Sequence, residues 1–114
     1  FHVGQEIKRR DRKMIRHIFI ATIKEGVTDS EIQKEMELMR SMKNELPEIK
    51  EIIVEKSTGW IGLSNVVTMT IDVESKQDFD KVIQSVAHQK VSATAPDFFR
   101  TDNFILTQIE YEKE

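Results

Sequence analysis

No cysteine occurs among the 114 residues, so disulfides, thiol nucleophiles and thiolate metal centres are excluded together. A chain without cysteine fits a reducing compartment, and the cytoplasm is the expected location. Proline (two residues) and glycine (four) are too scarce to build a linker, and no repeat or low-complexity segment divides the chain. No apolar run approaches the roughly 20 residues of a membrane span, and the N-terminal stretch lacks a secretory apolar core. Glycine-rich phosphate loops and a Gly-x-Ser-x-Gly elbow are missing, which leaves nucleotide-dependent chemistry and serine hydrolysis without support. No His-x-x-x-His or Glu-x-x-His pair exists, so no metal site is expected, even with Asp97 or Asp102 as an added carboxylate. No cofactor is expected either.

What is present suits one globular domain: 39% hydrophobic and 32% charged residues in a length with no room for a second. The formal charge of −3 is unevenly spread. Residues 1–13 carry five basic side chains against Glu6 and Asp11, a formal +3 that leaves −6 on the remainder. A body that acidic is a poor match for nucleic acid. Residues 1–13 read as a basic leader or extension, and 14–114 as the domain, with Met14 a natural beginning.

Along the chain, Ile15 to Ile23 is rich in β-branched residues and predicts a strand. One face carries His17, Phe19, Ala21 and Ile23, and the other Arg16, Ile18, Ile20 and Thr22. Thr28 with Glu31 forms a capping-box pattern. Ile32, Met36, Met39, Met42 and Leu46 follow as one helical stripe, stopped by Pro47. Strands are predicted over 49–55 and 63–73, separated by a loop with Trp60 between Gly59 and Gly62. Ser75 and Asp78 open a second helix, with Phe79, Val82, Ile83 and Val86 as its buried stripe. A less regular segment, 88–101, contains Pro96 and Phe98-Phe99, and a last strand covers 104–111.

This order, βαββαβ, is the ferredoxin-like α+β plan: a four-stranded antiparallel sheet with helices on one face. Two helices cover one face only. The other, with Ile18, Ile20, Val66 and the Thr68/Thr70 pair, is too apolar to face water, so a homodimer through packed sheets is expected. Burying ~600 Å² of apolar area per subunit would contribute about 15 kcal/mol before association costs.

Three stretches resemble the stress-responsive A/B barrel family. Met14-Ile-Arg-His-Ile-Phe-Ile-Ala-Thr-Ile-Lys-Glu-Gly26 is similar to its opening strand, with an early histidine and a Lys-x-Gly exit. Leu46-Pro47-Glu48-Ile49 stands at a common break between first helix and second strand. Ser85-Val86-Ala87-His88 stands where many relatives have His-Pro-x-His. The resemblance covers residues 14–112. It implies a dimeric α+β barrel with a cavity between sheet and helices in each subunit, which in the polyketide cyclases of this family holds catalytic tyrosine and histidine.

His17 and His88 are therefore the candidate catalytic residues: His88 as general base, because imidazole titrates near neutral pH, and His17 to orient the substrate or His88. Each also has a plain structural reading, His17 as a satisfied strand residue and His88 as a helix cap. Asn65 stands where cyclase-like relatives carry another pocket histidine, and Trp60 could stack at the cavity mouth. Phe98 and Phe99 are expected on the far wall. The expected ligand set is His17, Phe19, Trp60, Asn65, Val82, His88 and Phe98. The family's tyrosine is replaced by Val82 and the first motif histidine by Ser85, so the acid–base pair of the cyclases is incomplete; Tyr111, the only tyrosine, lies in the last strand. A cavity for a small, mostly apolar molecule is the leading expectation. A cyclase-like or cofactor-free monooxygenase-like enzyme is the alternative.

Overall fold

Three N-caps, Thr28, Ser75 and Ser85, and one alternating strand organise the chain. A computed structural model describes residues 13–113. Strand β1 (Lys13–Thr22) is followed by helix α1 (Asp29–Glu45), β2 (Glu51–Lys56), β3 (Val66–Val73), α2 (Lys76–Gln84), α3 (Val86–Phe98) and β4 (Ile105–Glu112). The expected basic leader lies outside the described residues except for Lys13, which is already the first residue of β1. Thr28 caps α1: its hydroxyl accepts from the Glu31 amide at 3.2 Å, while the Glu31 carboxylate accepts from the Thr28 amide at 3.0 Å. Among the described residues no helix is long and apolar enough to cross a membrane.

The sheet order is β2-β3-β1-β4, with every neighbour antiparallel. Pairing of His17 with Ile71 and Gln108, and of Phe19 with Met69 and Leu106, places these side chains on the helix-covered face. Val54, Val67, Met69 and Ile71 on that face meet Ile32, Met36, Met39 and Met42 of α1 in one buried cluster. The methionine stripe is thus core packing.

Two elements differ from expectation. Residues 86–98 form a regular helix rather than an irregular segment, with Ala87, Val91 and Ala95 buried at spacings of four. Small side chains make that stripe faint in the sequence. Pro96 lies in the last turn, where it cannot donate to the Ser92 carbonyl, and the helix ends two residues later at Phe98. Ser85 ends α2 and caps α3, its hydroxyl accepting from the His88 amide at 3.1 Å. The chain turns there, so Val86 starts a new helix and faces solvent instead of continuing the α2 stripe.

The other sheet face carries Ile18, Ile20, Thr68 and Thr70, together with exposed Ile53, Ile105 and Ile109. It also holds a polar cluster. Asp72, 3% exposed, accepts from Arg16 Nε at 2.7 Å, from Arg16 Nη2 at 2.8 Å and from the Tyr111 hydroxyl at 2.6 Å. The Arg16 guanidinium also lies over the Tyr111 ring, 5.0 Å from its centre.

Between α1 and α3, the Glu35 carboxylate is 2% exposed and accepts from the Thr94 hydroxyl at 2.9 and 3.0 Å. Among the described residues no cation pairs with it. Burial raises the Glu35 pKa, the Thr94 hydrogen bond opposes this, and the nearby Asp97 charge adds to it. A raised carboxyl pKa favours the native state most below the unfolded value near 4.5, and that benefit is lost as pH rises through the folded value. Glu35→Gln, which keeps the shape without the charge, is expected to be more stable than the parent at pH 7. Urea unfolding should show the gap closing as pH falls toward 4.

Candidate functional site

The helix-side face of β1 and β4 does not sit flush against α3. The gap is a cavity of about 210 Å³. Its walls are mostly apolar: Phe19, Met69 and Leu106 from the sheet, Met39 from α1, Val91, Ala95 and Pro96 from α3, and Phe99 and Phe104 beyond it. Phe19 meets Phe104 edge-on at 5.1 Å and Phe99 at 6.3 Å between ring centres. The polar side chains on the wall are His17, His88 and Ser92.

His17 is positioned by strand alternation and by Gln108, its direct neighbour on β4. The Gln108 amide Nε2 donates to His17 Nδ1 at 3.0 Å, which leaves the ring proton of the neutral imidazole on Nε2. Phe79 of α2 packs edge-on against the ring at 5.4 Å. Burial lowers the His17 pKa, and a charge on His88 lowers it further. His88 occupies the first turn of α3, set by the Ser85 cap, and its Nδ1 lies 3.5 Å from the Ser92 hydroxyl one turn on. Burial lowers the His88 pKa, partly offset by a hydrogen bond to the Ile83 backbone. Both imidazoles are therefore neutral at pH 7. One offers an N–H donor, and both offer titratable nitrogens, in a wall otherwise of hydrocarbon and aromatic rings.

Of the residues expected around the cavity, His17, Phe19 and His88 line it, and four others lie elsewhere. Asn65 is a strand-end clamp: its side-chain amide donates to the Ile23 carbonyl at 3.3 Å, and its backbone carbonyl accepts from the Ile23 amide at 2.9 Å. Val82 is part of the core under α2. Phe98 packs at the core margin, while its neighbour Phe99 faces the cavity, because the Phe99 backbone leaves the helix to bridge Ile23. Trp60 stands in solvent on the β2–β3 loop. Tyr111 belongs to the opposite sheet face, bonded to Asp72, and Ser85 is a helix cap. Asp102 is held by Arg100 at 2.8 Å on the surface.

Sequence reasoning did not single out Gln108 and Ser92. The signal for Ser92 is its i,i+4 spacing from His88, legible only once 86–98 is read as a helix. The signal for Gln108 is its phase on β4, which needs the β1–β4 register.

The sheet order, helix placement and cavity define an α+β ferredoxin-like domain with room for a small ligand between sheet and helices. Its sequence matches the Stress responsive A/B Barrel Domain over residues 15–106, and the chain belongs to that family. Solved structures share the fold. A dimeric ferredoxin-like protein of unknown function from Thermobifida fusca aligns with TM-score 0.75 at 15% identity, covering 87% of this chain and 92% of that one. The hydroxynitrile lyase of Passiflora edulis aligns with TM-score 0.77 at 14% identity, covering 90% and 97%. A protein from Arabidopsis thaliana aligns with TM-score 0.69 at 19% identity, covering 88% and 95%. No protein of curated function matches the chain in sequence.

Proposed function

We propose that this chain works as a homodimer that holds a small, mostly apolar molecule with one polar group in the cavity between His17 and His88. The observation that carries this reading is the pairing of two neutral, partly desolvated imidazoles with an aromatic and aliphatic wall. A carbonyl or hydroxyl on the ligand would meet the His17 Nε2 proton or an imidazole lone pair. The rest of the ligand would meet Phe19, Phe99 and Phe104. Several solved relatives of the same fold are described as dimeric, and the apolar sheet face supports the same state here. The acidic body disfavours nucleic acid as a partner, and a cysteine-free chain suits the cytoplasm.

The test uses 4-fluoroacetophenone, an aromatic ring with one carbonyl, followed by 19F NMR titration. Saturable binding is expected near pH 7, weakened about tenfold by His88→Ala, equivalent to ~1.4 kcal/mol. Because both histidine pKa values are lowered, affinity should hold down to about pH 6.5 and fall once the imidazoles protonate below it. Binding that is non-saturable, or indifferent to His88, would sink the reading.

A second reading has one observation in its favour: His88 is neutral and faces the cavity, as a general base must. The likeness in fold to a hydroxynitrile lyase adds weight to enzymatic use of the cavity. Exchange of the ketone's methyl protons in D₂O, faster than buffer and abolished by His88→Ala, would move the reading from binding protein to enzyme.

A further inference from the structure

The β2–β3 loop, residues 57–65, presents large apolar side chains to solvent: Trp60 is 88% and Ile61 94% exposed, and Leu63 is exposed as well. The loop has a defined shape. The Ser57 hydroxyl donates to the Leu63 carbonyl at 2.6 Å and accepts from the Gly59 amide at 3.0 Å. Gly59 and Gly62 supply the positive φ angles of +72° and +82° that the turns require. An ordered loop with an apolar tip is a preformed contact.

The sheet says where that tip goes in a dimer. β1 and β2 run toward the hairpin end, and β3 and β4 run away from it. The tip therefore lies at the same end of the sheet as Phe104 and Ile105, where β4 begins. Phe104 and Leu106 line the cavity, and Ile105 and Leu106 are exposed. Among the described residues, β2 and β4 are the two edge strands. When two such sheets pack face to face about a two-fold axis parallel to the strands, β2 of each copy lies over β4 of the other and runs antiparallel to it. Curling the sheets then joins the edges into a closed barrel. That arrangement brings the hairpin tip of one copy to the start of β4 in the other. A two-fold across the strands would instead lay the Ile20 and Thr68 row of the open face over the Arg16–Asp72 ion pair at the far end of the partner's sheet, which matches apolar surface with charge.

We propose that Trp60 and Ile61 of one copy close the cavity mouth of the other, beside Phe104 and Leu106, so that each binding site is built from two chains. This rests on the dimeric reading and adds to it a specific role for the hairpin.

The cysteine-free chain allows a direct test. Ile61→Cys protein is mixed with Phe104→Cys protein, exchanged and mildly oxidised; a control pairs Ile61→Cys with Glu112→Cys at the far end of β4. Sedimentation velocity of the parent runs alongside. The expected result is a parent dimer and a disulfide-linked heterodimer from the first pair but not the second. A parent dimer that traps only the second pair, or neither, overturns the hairpin assignment and leaves the dimer standing. A parent monomer overturns both. A mixed dimer of Trp60→Ala and His88→Ala chains gives an independent check with 4-fluoroacetophenone. If Trp60 acts across the interface, one site in that heterodimer regains parental affinity; if it acts within its own chain, neither does.

Discussion

Replacing Arg16 with methionine is expected to lower stability by about 2–3 kcal/mol at pH 7, although it removes a side chain that is one-third exposed. The reason is what it leaves behind. Burial alone would raise the Asp72 pKa, but hydrogen bonds from Arg16 and Tyr111, with the guanidinium charge, outweigh it and hold the group below the ordinary carboxylate value. A depressed carboxyl pKa contributes stability that is full above the unfolded value near 3.8 and is lost as pH falls through the folded value. Without Arg16, Asp72 keeps one hydroxyl donor and no bidentate cation. Its pKa should then lie above the ordinary value, and the loss should be largest at neutral pH and shrink below pH 4. The full 3–5 kcal/mol of a completely buried pair is not expected, because water already reaches the guanidinium. Urea unfolding at pH 7 and pH 3.5, at fixed protein concentration, measures this. The double variant Arg16→Met with Asp72→Leu should recover most of the loss, since no charge is stranded. An equal loss at both pH values would mean that packing, not the ion pair, is what Arg16 supplies.

The second large effect is at Phe99. Its side chain is 1% exposed, yet it faces the cavity and meets Phe19 edge-on. Phe99→Ala should cost about 3–5 kcal/mol, because the neighbouring cavity gives the surroundings nothing with which to fill the space. The same change should enlarge the binding volume. The variant is expected to bind 4-fluoroacetophenone more weakly and to accept a larger ketone, such as a fluorinated naphthyl analogue, better than the parent does. A stability loss without that shift in preference would place Phe99 in the core alone. Phe98→Ala is the comparison, and it should leave ligand preference unchanged, since Phe98 lies at the core margin.

These two sites show which parts of the molecule can be read from sequence. The βαββαβ order came through because the signals are local: alternation in 15–23, the capping box at Thr28 and Glu31, and a methionine stripe of helical period. The face assignment of β1 and β3 followed from alternation alone and places His17 with Ile71 and Phe19 with Met69. What the sequence hid depends on small side chains or on distant pairing. The third helix presents alanines where a stronger stripe would have larger residues, and its Pro96 reads as a breaker until it is seen in the last turn. Of Phe98 and Phe99, both expected on the far wall, Phe99 lines the cavity and Phe98 packs at the core margin, because the phase at the helix end turns on where the helix stops. Asn65 and Val82 were placed by analogy with family positions; here one clamps Ile23 and the other fills core. The Arg16–Asp72–Tyr111 cluster joins residues up to 95 positions apart in sequence and becomes visible only when β3, β1 and β4 are laid side by side.

The most direct measurement of the whole account is native mass spectrometry of the protein with 4-fluoroacetophenone added at increasing concentration. The account predicts a dimer that takes up two ligand molecules, and a His88→Ala dimer that needs about tenfold more ligand to do so. A monomer, or a dimer that takes up none where the 19F titration is also silent, would contradict it.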